Sequence, residues 1–305
     1  MSDTDVLAAG SAHHADFGEH LEPMRPPGDT TGLFGVFRRR YLLKLLVRKE
    51  VRVRYSGSLL GIFWSYAKPL MRFFTYFVVL GYILNMHRAV PNYAFHIFSG
   101  LVVVTFFTES LGAGTTSVVK NKSLVRKMNL PREMFPVASL LVTIWHSGPQ
   151  YIILAVGCAI VGWHPDAYGI LCGLIGFAVV AVFSLAVSLS FSALNVFFRD
   201  FQNFVVTINQ MIMWSTPMIY TYEQVQNTTH GSWFPTVYLA NPLADAVLLV
   251  QRCFWLATIP VKDRRGLMPT HILERGLIML AIGLVLVAVA QLLFSRLESR
   301  FAEQL

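Results

Sequence analysis

The chain has 305 residues, of which 54% are hydrophobic and 14% charged, and its mean hydropathy is positive; so little polar surface excludes a compact soluble domain and points to a membrane protein. The formal charge of +8 lies in basic runs beside apolar segments, which excludes a nucleic-acid patch and fits the positive-inside rule and anionic lipid. Cys158, Cys172 and Cys253 have neither metal-ligand spacing nor an even count, which argues against a disulfide framework and leaves small-apolar packing.

In chain order, residues 1–31 are polar, cluster Pro23, Pro26, Pro27 and Gly28, and read as a disordered cytoplasmic tail without a cleavable signal. Residues 32–58 read as an amphipathic interfacial helix. Arg40, Lys44, Arg48 and Arg52 recur every four residues as a cationic ridge, with Leu42, Leu46 and Val53 on the other side. The apolar side is expected to sink into the lipid boundary while the ridge meets phosphates; the alternative is an ordinary topogenic charge cluster. Lys49 and Glu50 spoil the edges of the apolar sector.

Apolar length predicts six transmembrane helices, at 59–84, 93–119, 134–161, 168–198, 204–220 and 271–294. They make an all-α integral membrane domain over 59–295, followed by a cytoplasmic tail over 296–305. Basic residues crowd the segment before the first span and the second linker (Lys120, Lys122, Arg126, Lys127, Arg132), whereas the first linker holds only Arg88 and the third none. Both termini are therefore expected in the cytoplasm. The stretch 223–269 dissents, being external yet carrying Arg252, Lys262, Arg264 and Arg265. The fifth segment is short and runs through Trp214, Ser215, Thr216 and Pro217. Proline removes a helical hydrogen bond, so a broken or re-entrant segment is expected, with its freed carbonyl satisfied by other groups or water. Asn241-Pro242 opens a further stretch, to Leu256, that reads either as a short external gate helix or as a re-entrant one.

Few residues carry chemistry. Glu109 and His146 are the clear ionisable candidates inside the spans, and His164-Pro165-Asp166 stands alone in a tight external turn. Neither makes the convergent acid/base set that a membrane-bound glycosyl or acyl transferase needs, and no metal site is expected. Lys68 and Arg72 share a helix face early in the first span; they either snorkel to the inner interface or meet an anion. Ser184, Ser188 and Ser192, like Gly169 and Gly173, recur every four residues, as close helix packing requires. No G-x-x-x-x-G-K-[ST] loop is present to cradle ATP phosphates, so energy must come from a partner or a gradient.

Four local patterns together resemble the membrane subunit of ABC-2 type polysaccharide exporters, the family of O-antigen and teichoic-acid permeases. They are the basic run into Arg54-Tyr55-Ser56-Gly57-Ser58-Leu59-Leu60-Gly61-Ile62-Phe63-Trp64 with Pro69, and Asn121 through Leu130-Pro131 to Arg132-Glu133-Met134-Phe135-Pro136. The others are Asn195-Val196-Phe197-Phe198-Arg199-Asp200 with Ser215-Thr216-Pro217 and Tyr220, and Asn241-Pro242 with the tail Phe294-Ser295-Arg296-Leu297-Glu298. The resemblance implies a homodimeric permease of the bacterial cytoplasmic membrane that binds no cofactor itself and works with two copies of a cytoplasmic ATPase carrying ATP and Mg. It implies that Asn121, Lys122, Leu124, Val125, Arg126, Lys127 and Met128 form the coupling element that docks on the ATPase. Physically, Leu124, Val125 and Met128 would make an apolar knob ringed by cations; the alternative is a solvated basic loop.

The expected substrate is a glycan on a polyprenyl pyrophosphate. Arg40, Lys44, Arg48, Arg52, Arg54, Lys68 and Arg72 would attract its headgroup at the inner leaflet. Phe73, Tyr76, Phe77, Trp214 and Tyr220 would line a conduit, unless they are interfacial or core aromatics, and Ser215, Thr216 and Pro217 would gate it. O-antigen, teichoic acid and a cell-wall galactan all fit these residues, and the polar N-terminal extension favours an actinobacterial galactan. A small-lipid or drug exporter of the same class is the alternative.

Overall fold

The computed structural model describes residues 32–57, 61–128, 130–229, 233–264 and 266–304. The tail expected over 1–31, and Ser58, Leu59 and Leu60 at the start of the first span, lie outside the described residues. Every regular element among the described residues is helical. The chain begins with α1 (Gly32–Arg38), α2 (Arg40–Tyr55), α3 (Trp64–Tyr76), α4 (Met86–Ala89), α5 (Tyr93–Lys120), α6 (Lys122–Lys127) and α7 (Met134–Ile160). It continues with α8 (Ala167–Phe197), α9 (Phe201–Trp214), α10 (Tyr222–Thr228), α11 (Phe234–Tyr238), α12 (Pro242–Cys253), α13 (Ile272–Glu298) and α14 (Phe301–Gln304).

Among the described residues, α5, α7, α8 and α13 are the helices long and apolar enough to cross a membrane. With 27 to 31 residues each, they reach about 40 Å or more, beyond the ~30 Å hydrocarbon core. The first and fifth expected spans take another form. α3 carries Pro69 and passes into wider π-helical turns over Phe77–Ile83. α9 has only 14 residues before the chain breaks at Ser215.

Local sequence sets several boundaries. The Asp166 carboxylate accepts from the Gly169 amide to start α8, Thr221 and Gln224 form a reciprocal capping box on α10, and Asn241 caps α12 with Pro242 in its first turn. α5 is the central helix: 78% of its most apolar stretch is buried, against 17% for α13. It packs on α8, where the Ser188 hydroxyl donates to the Ser110 carbonyl at 3.1 Å. Ser184, Ser188 and Ser192 are all buried, and so are the three cysteines. The small residues of α8 admit α12. A Cβ at Gly173 would stand 2.8 Å from Cys253 and one at Gly176 2.9 Å from Leu249, so larger residues there would push the helices apart.

The helix at 241–256 packs within the protein: α12 is buried from Leu243 to Gln251, and it meets α8 at Gly176, roughly 15 Å along that helix from its start. The apolar side of α2 departs from expectation at its far end. Leu43 and Leu46 are buried in a cluster with Val125, Met134 and Phe135, whereas Val53 is 51% exposed. The core-facing side therefore packs on protein instead of entering lipid. The C-terminal end is tied down as well: Arg132 pairs with the Glu298 carboxylate at 3.6 Å, donates to the Glu298 carbonyl and lies over the Phe301 ring. Gln291 donates to Glu133 at 2.8 Å beside it.

Candidate functional site

α6 occupies the linker between α5 and α7 and divides into an inward and an outward face. Val125 is buried in the α2–α7 cluster with Leu124 partly buried beside it, while Lys122, Arg126, Lys127 and Met128 are exposed. Of the expected apolar knob only Met128 projects; Val125 anchors the linker. Asn121 is buried too, and its amide is fully engaged. Its Oδ1 accepts from Lys49 Nζ at 2.9 Å, and its Nδ2 donates to Glu50 Oε1 at 3.3 Å and to the Ser117 carbonyl at 3.0 Å. Lys120 adds an ion pair to Glu50 at 3.4 Å. The two residues that spoil the amphipathic pattern of α2 are thus the ones that grip the linker.

The expected headgroup cations separate into two groups. Arg40, Lys44, Arg48 and Arg52 project from α2 as an exposed ridge. Arg54, a half-turn on, reaches Glu109 of α5 at 3.5 Å, and His146 of α7 is buried. Lys68 and Arg72 are exposed on α3. Phe73 packs edge-on to Phe98 at 5.0 Å and Gly81 sits beside Tyr93, so Arg72 lies near the Tyr93 end of α5, far from Lys120 and apart from the α2 ridge.

The conduit aromatics divide in the same way. Phe73 and Phe77 stack on each other, the Tyr76 hydroxyl contacts Met213 Sδ at 2.6 Å, and Tyr220 packs on Tyr238, so these four are largely committed to protein contacts. Trp214 is 65% exposed. Sequence reasoning missed the set below it: Asn203, Thr207 and Gln210, spaced by four and three residues, are exposed on the same face of α9 as Trp214. That spacing was readable, but attention to aromatic side chains passes over it.

Beyond Trp214 the chain breaks, and side chains satisfy the freed carbonyls. Gln251 of α12 donates to the Pro217 carbonyl at 2.8 Å, Asn241 to that of Ser215 at 3.3 Å, Tyr93 to that of Ile219 at 2.8 Å and Tyr220 to that of Trp214 at 3.0 Å. Non-helical backbone at membrane depth requires such partners. Of the expected gate residues, Ser215 is exposed while Thr216 and Pro217 are buried. At the start of α8, Arg252 makes paired bonds to Asp166 at 3.0 and 2.7 Å, which neutralises one cation of the dissenting segment. Partial burial pushes the Asp166 carboxyl up, but the hydrogen bond and charge of Arg252 outweigh it and hold the group below its usual value of 3.8.

The family model described as ABC-2 type transporter matches residues 41–255. The chain is 28% identical over 265 residues to the O-antigen export system permease protein RfbA of Klebsiella pneumoniae, covering 86% of this chain and 94% of that protein. It is 27% identical over 277 residues to the protein of the same name from Myxococcus xanthus, covering 88% and 97%. With the family match spanning more than half of its length, over the same helices that build the linker, the break and α12, the chain belongs to the ABC-2 type transporter family, as a multi-pass membrane permease subunit.

Proposed function

We propose that two copies of this chain form a conduit for a polysaccharide carried on a polyprenyl diphosphate, driven by two cytoplasmic ATPase subunits docked at the outward face of α6. Both termini lie in the cytoplasm. α3 and α9 complete a six-span arrangement in which these shorter, broken segments line the path while α7, α8 and α13 carry the lipid-facing surface. The observation that supports this best is the exposed stripe Asn203–Thr207–Gln210 on α9. Amide and hydroxyl groups on the outside of a membrane helix need water or a polar partner, since lipid supplies neither. Hydroxyl-rich sugars match them, and Trp214 at the end of the stripe offers a flat face along which a sugar ring can slide. The relatives' designation as O-antigen export permeases supports a polymeric glycan. The galactan reading rests on the N-terminal extension, outside the described residues.

Headgroup attraction begins at the α2 ridge and Arg54, where guanidinium groups can engage two phosphate oxygens at once. Lys68 and Arg72, displaced towards the other end of the path, then meet anions during passage instead of at entry. Inverted vesicles carrying the chain with its ATPase should take up lipid-linked glycan only when ATP is supplied. Glycan movement that persists without ATP would reject the mechanism, and ATP-driven movement of lipid with no glycan would favour a lipid exporter.

A further inference from the structure

Resting on the export reading above, we infer that α2 is a strut that senses a diphosphate headgroup. Arg54 at its end exchanges Glu109 for the phosphates of a lipid-linked substrate, and the Lys49–Glu50 step one turn earlier transmits that exchange through Asn121 to α6.

The position of the pair is the first support. Glu109 lies eleven residues before Lys120 on α5, roughly 16 Å into the membrane-spanning helix. Yet the Arg54 and Glu109 side chains are 42% and 35% exposed. A charged pair at that depth does not face hydrocarbon, so its open side faces water or a polar ligand.

The looseness of the pair is the second. Arg54 meets Glu109 through one long contact of 3.5 Å, although a guanidinium makes two parallel bonds to a carboxylate or phosphate where geometry allows. Compare the paired bonds of Arg252 on Asp166, at 3.0 and 2.7 Å. Arg54 is therefore held without being saturated, and a diphosphate, with more charge and more oxygens than Glu109, competes for it.

Transmission follows from the other grip of α2. Lys49 and Arg54 are five residues apart in one uninterrupted helix, roughly 7.5 Å, so the segment moves as a unit. Asn121 bridges Lys49 and Glu50 and immediately precedes α6. Because this amide is buried with both ends engaged, α2 cannot shift without drawing the start of α6 with it. Substrate occupancy near mid-membrane thereby reaches the linker proposed to contact the ATPase.

The test is the ATP hydrolysis rate of the chain reconstituted with its ATPase in phospholipid vesicles, with and without undecaprenyl diphosphate. The wild-type complex should be stimulated several-fold. Glu109→Gln, which frees Arg54, should raise the unstimulated rate and bring the ratio of stimulated to unstimulated rates close to one. The exchange R54E/E109R restores an ion pair but moves the cation off α2, so its stimulation should vanish. Lys49→Ala, at a half-exposed position, removes one of the contacts to Asn121 and leaves Arg54 and Glu109 in place, so the lipid should still bind while stimulation falls; this readout serves if the charge variants fail to assemble. Wild-type stimulation ratios in Glu109→Gln, in the exchange and in Lys49→Ala would overturn the strut. Equal stimulation by soluble inorganic pyrophosphate would overturn the assignment to a lipid headgroup. A wild-type complex that exports glycan without being stimulated by the lipid removes the strut alone, whereas one that neither exports nor responds removes the export reading as well.

Discussion

α9 and α13 both turn a broad face out of the protomer, and the two faces differ in chemistry. α13 presents Leu277, Ile278, Val285, Val289 and Leu292, each 49% exposed or more. α9 presents Asn203, Thr207 and Gln210 between Phe204, Met211 and Trp214. A purely apolar face is at rest in hydrocarbon, whereas an amide there lacks a partner for every donor and acceptor. Exposure alone therefore does not say what a membrane helix faces; the polar atoms on the exposed side do.

The sharpest way to break this distinction is a charge on each face. Val285→Arg places a cation near the middle of α13, where it costs about 2.5–3.5 kcal/mol, on the order of a hundredfold in insertion. Gln210→Arg on α9 should insert at close to the wild-type level. Protease protection of membrane-inserted chain measures both, and equal insertion would erase the difference between the faces. Next in size is the buried side of the break. Gln251→Leu strands the Pro217 carbonyl and should lower thermal stability of the solubilised protein by about 1–3 kcal/mol. Gln210→Leu reverses the logic: it makes α9 resemble α13, should leave insertion intact, and should slow glycan export about tenfold through lost hydrogen bonds of ~1 kcal/mol each. Unchanged export in Gln210→Leu paired with Asn203→Leu would deny the stripe its role.

The smallest effect lies at the start of α8, on the Asp166–Arg252 pair. Its carboxyl is held below 3.8, so its stabilising contribution is present above that value and lost as the pH falls through the depressed one. Asp166 is 47% exposed, so Asp166→Asn should cost under about 1 kcal/mol at neutral pH. The gap between wild type and Asp166→Asn in thermal melts should close under strong acid.

Much of the candidate site was legible. The linker, the break at Pro217 and the basic ridge stand where charge and proline place them in the sequence, because both act locally. On α2, Leu46 is buried as expected and Leu42 partly buried beside it, but Leu43 joins them and Val53 is exposed, since a periodic pattern defines a face only as sharply as its interruptions allow. Those interruptions, Lys49 and Glu50, proved to be contacts to Asn121, which no pattern internal to α2 could show. Glu109 stood out as an ionisable group inside a span, but its pairing with Arg54 joins two helices distant in sequence.

By itself the amino-acid sequence determined that this is a helical membrane protein, because apolar length and the placement of Lys and Arg are read by the bilayer one segment at a time. It also determined where the chain must break, since proline acts on its own turn. Tertiary packing alone decided that α12 turns inward and that Gln251, Asn241 and Tyr93 satisfy the broken backbone. It likewise decided which side of α9 is left uncovered by the other helices. Those outcomes depend on which helices become neighbours, and every apolar helix here could pair with several others until small residues such as Gly173 and Gly176 admit one partner closely and exclude the rest.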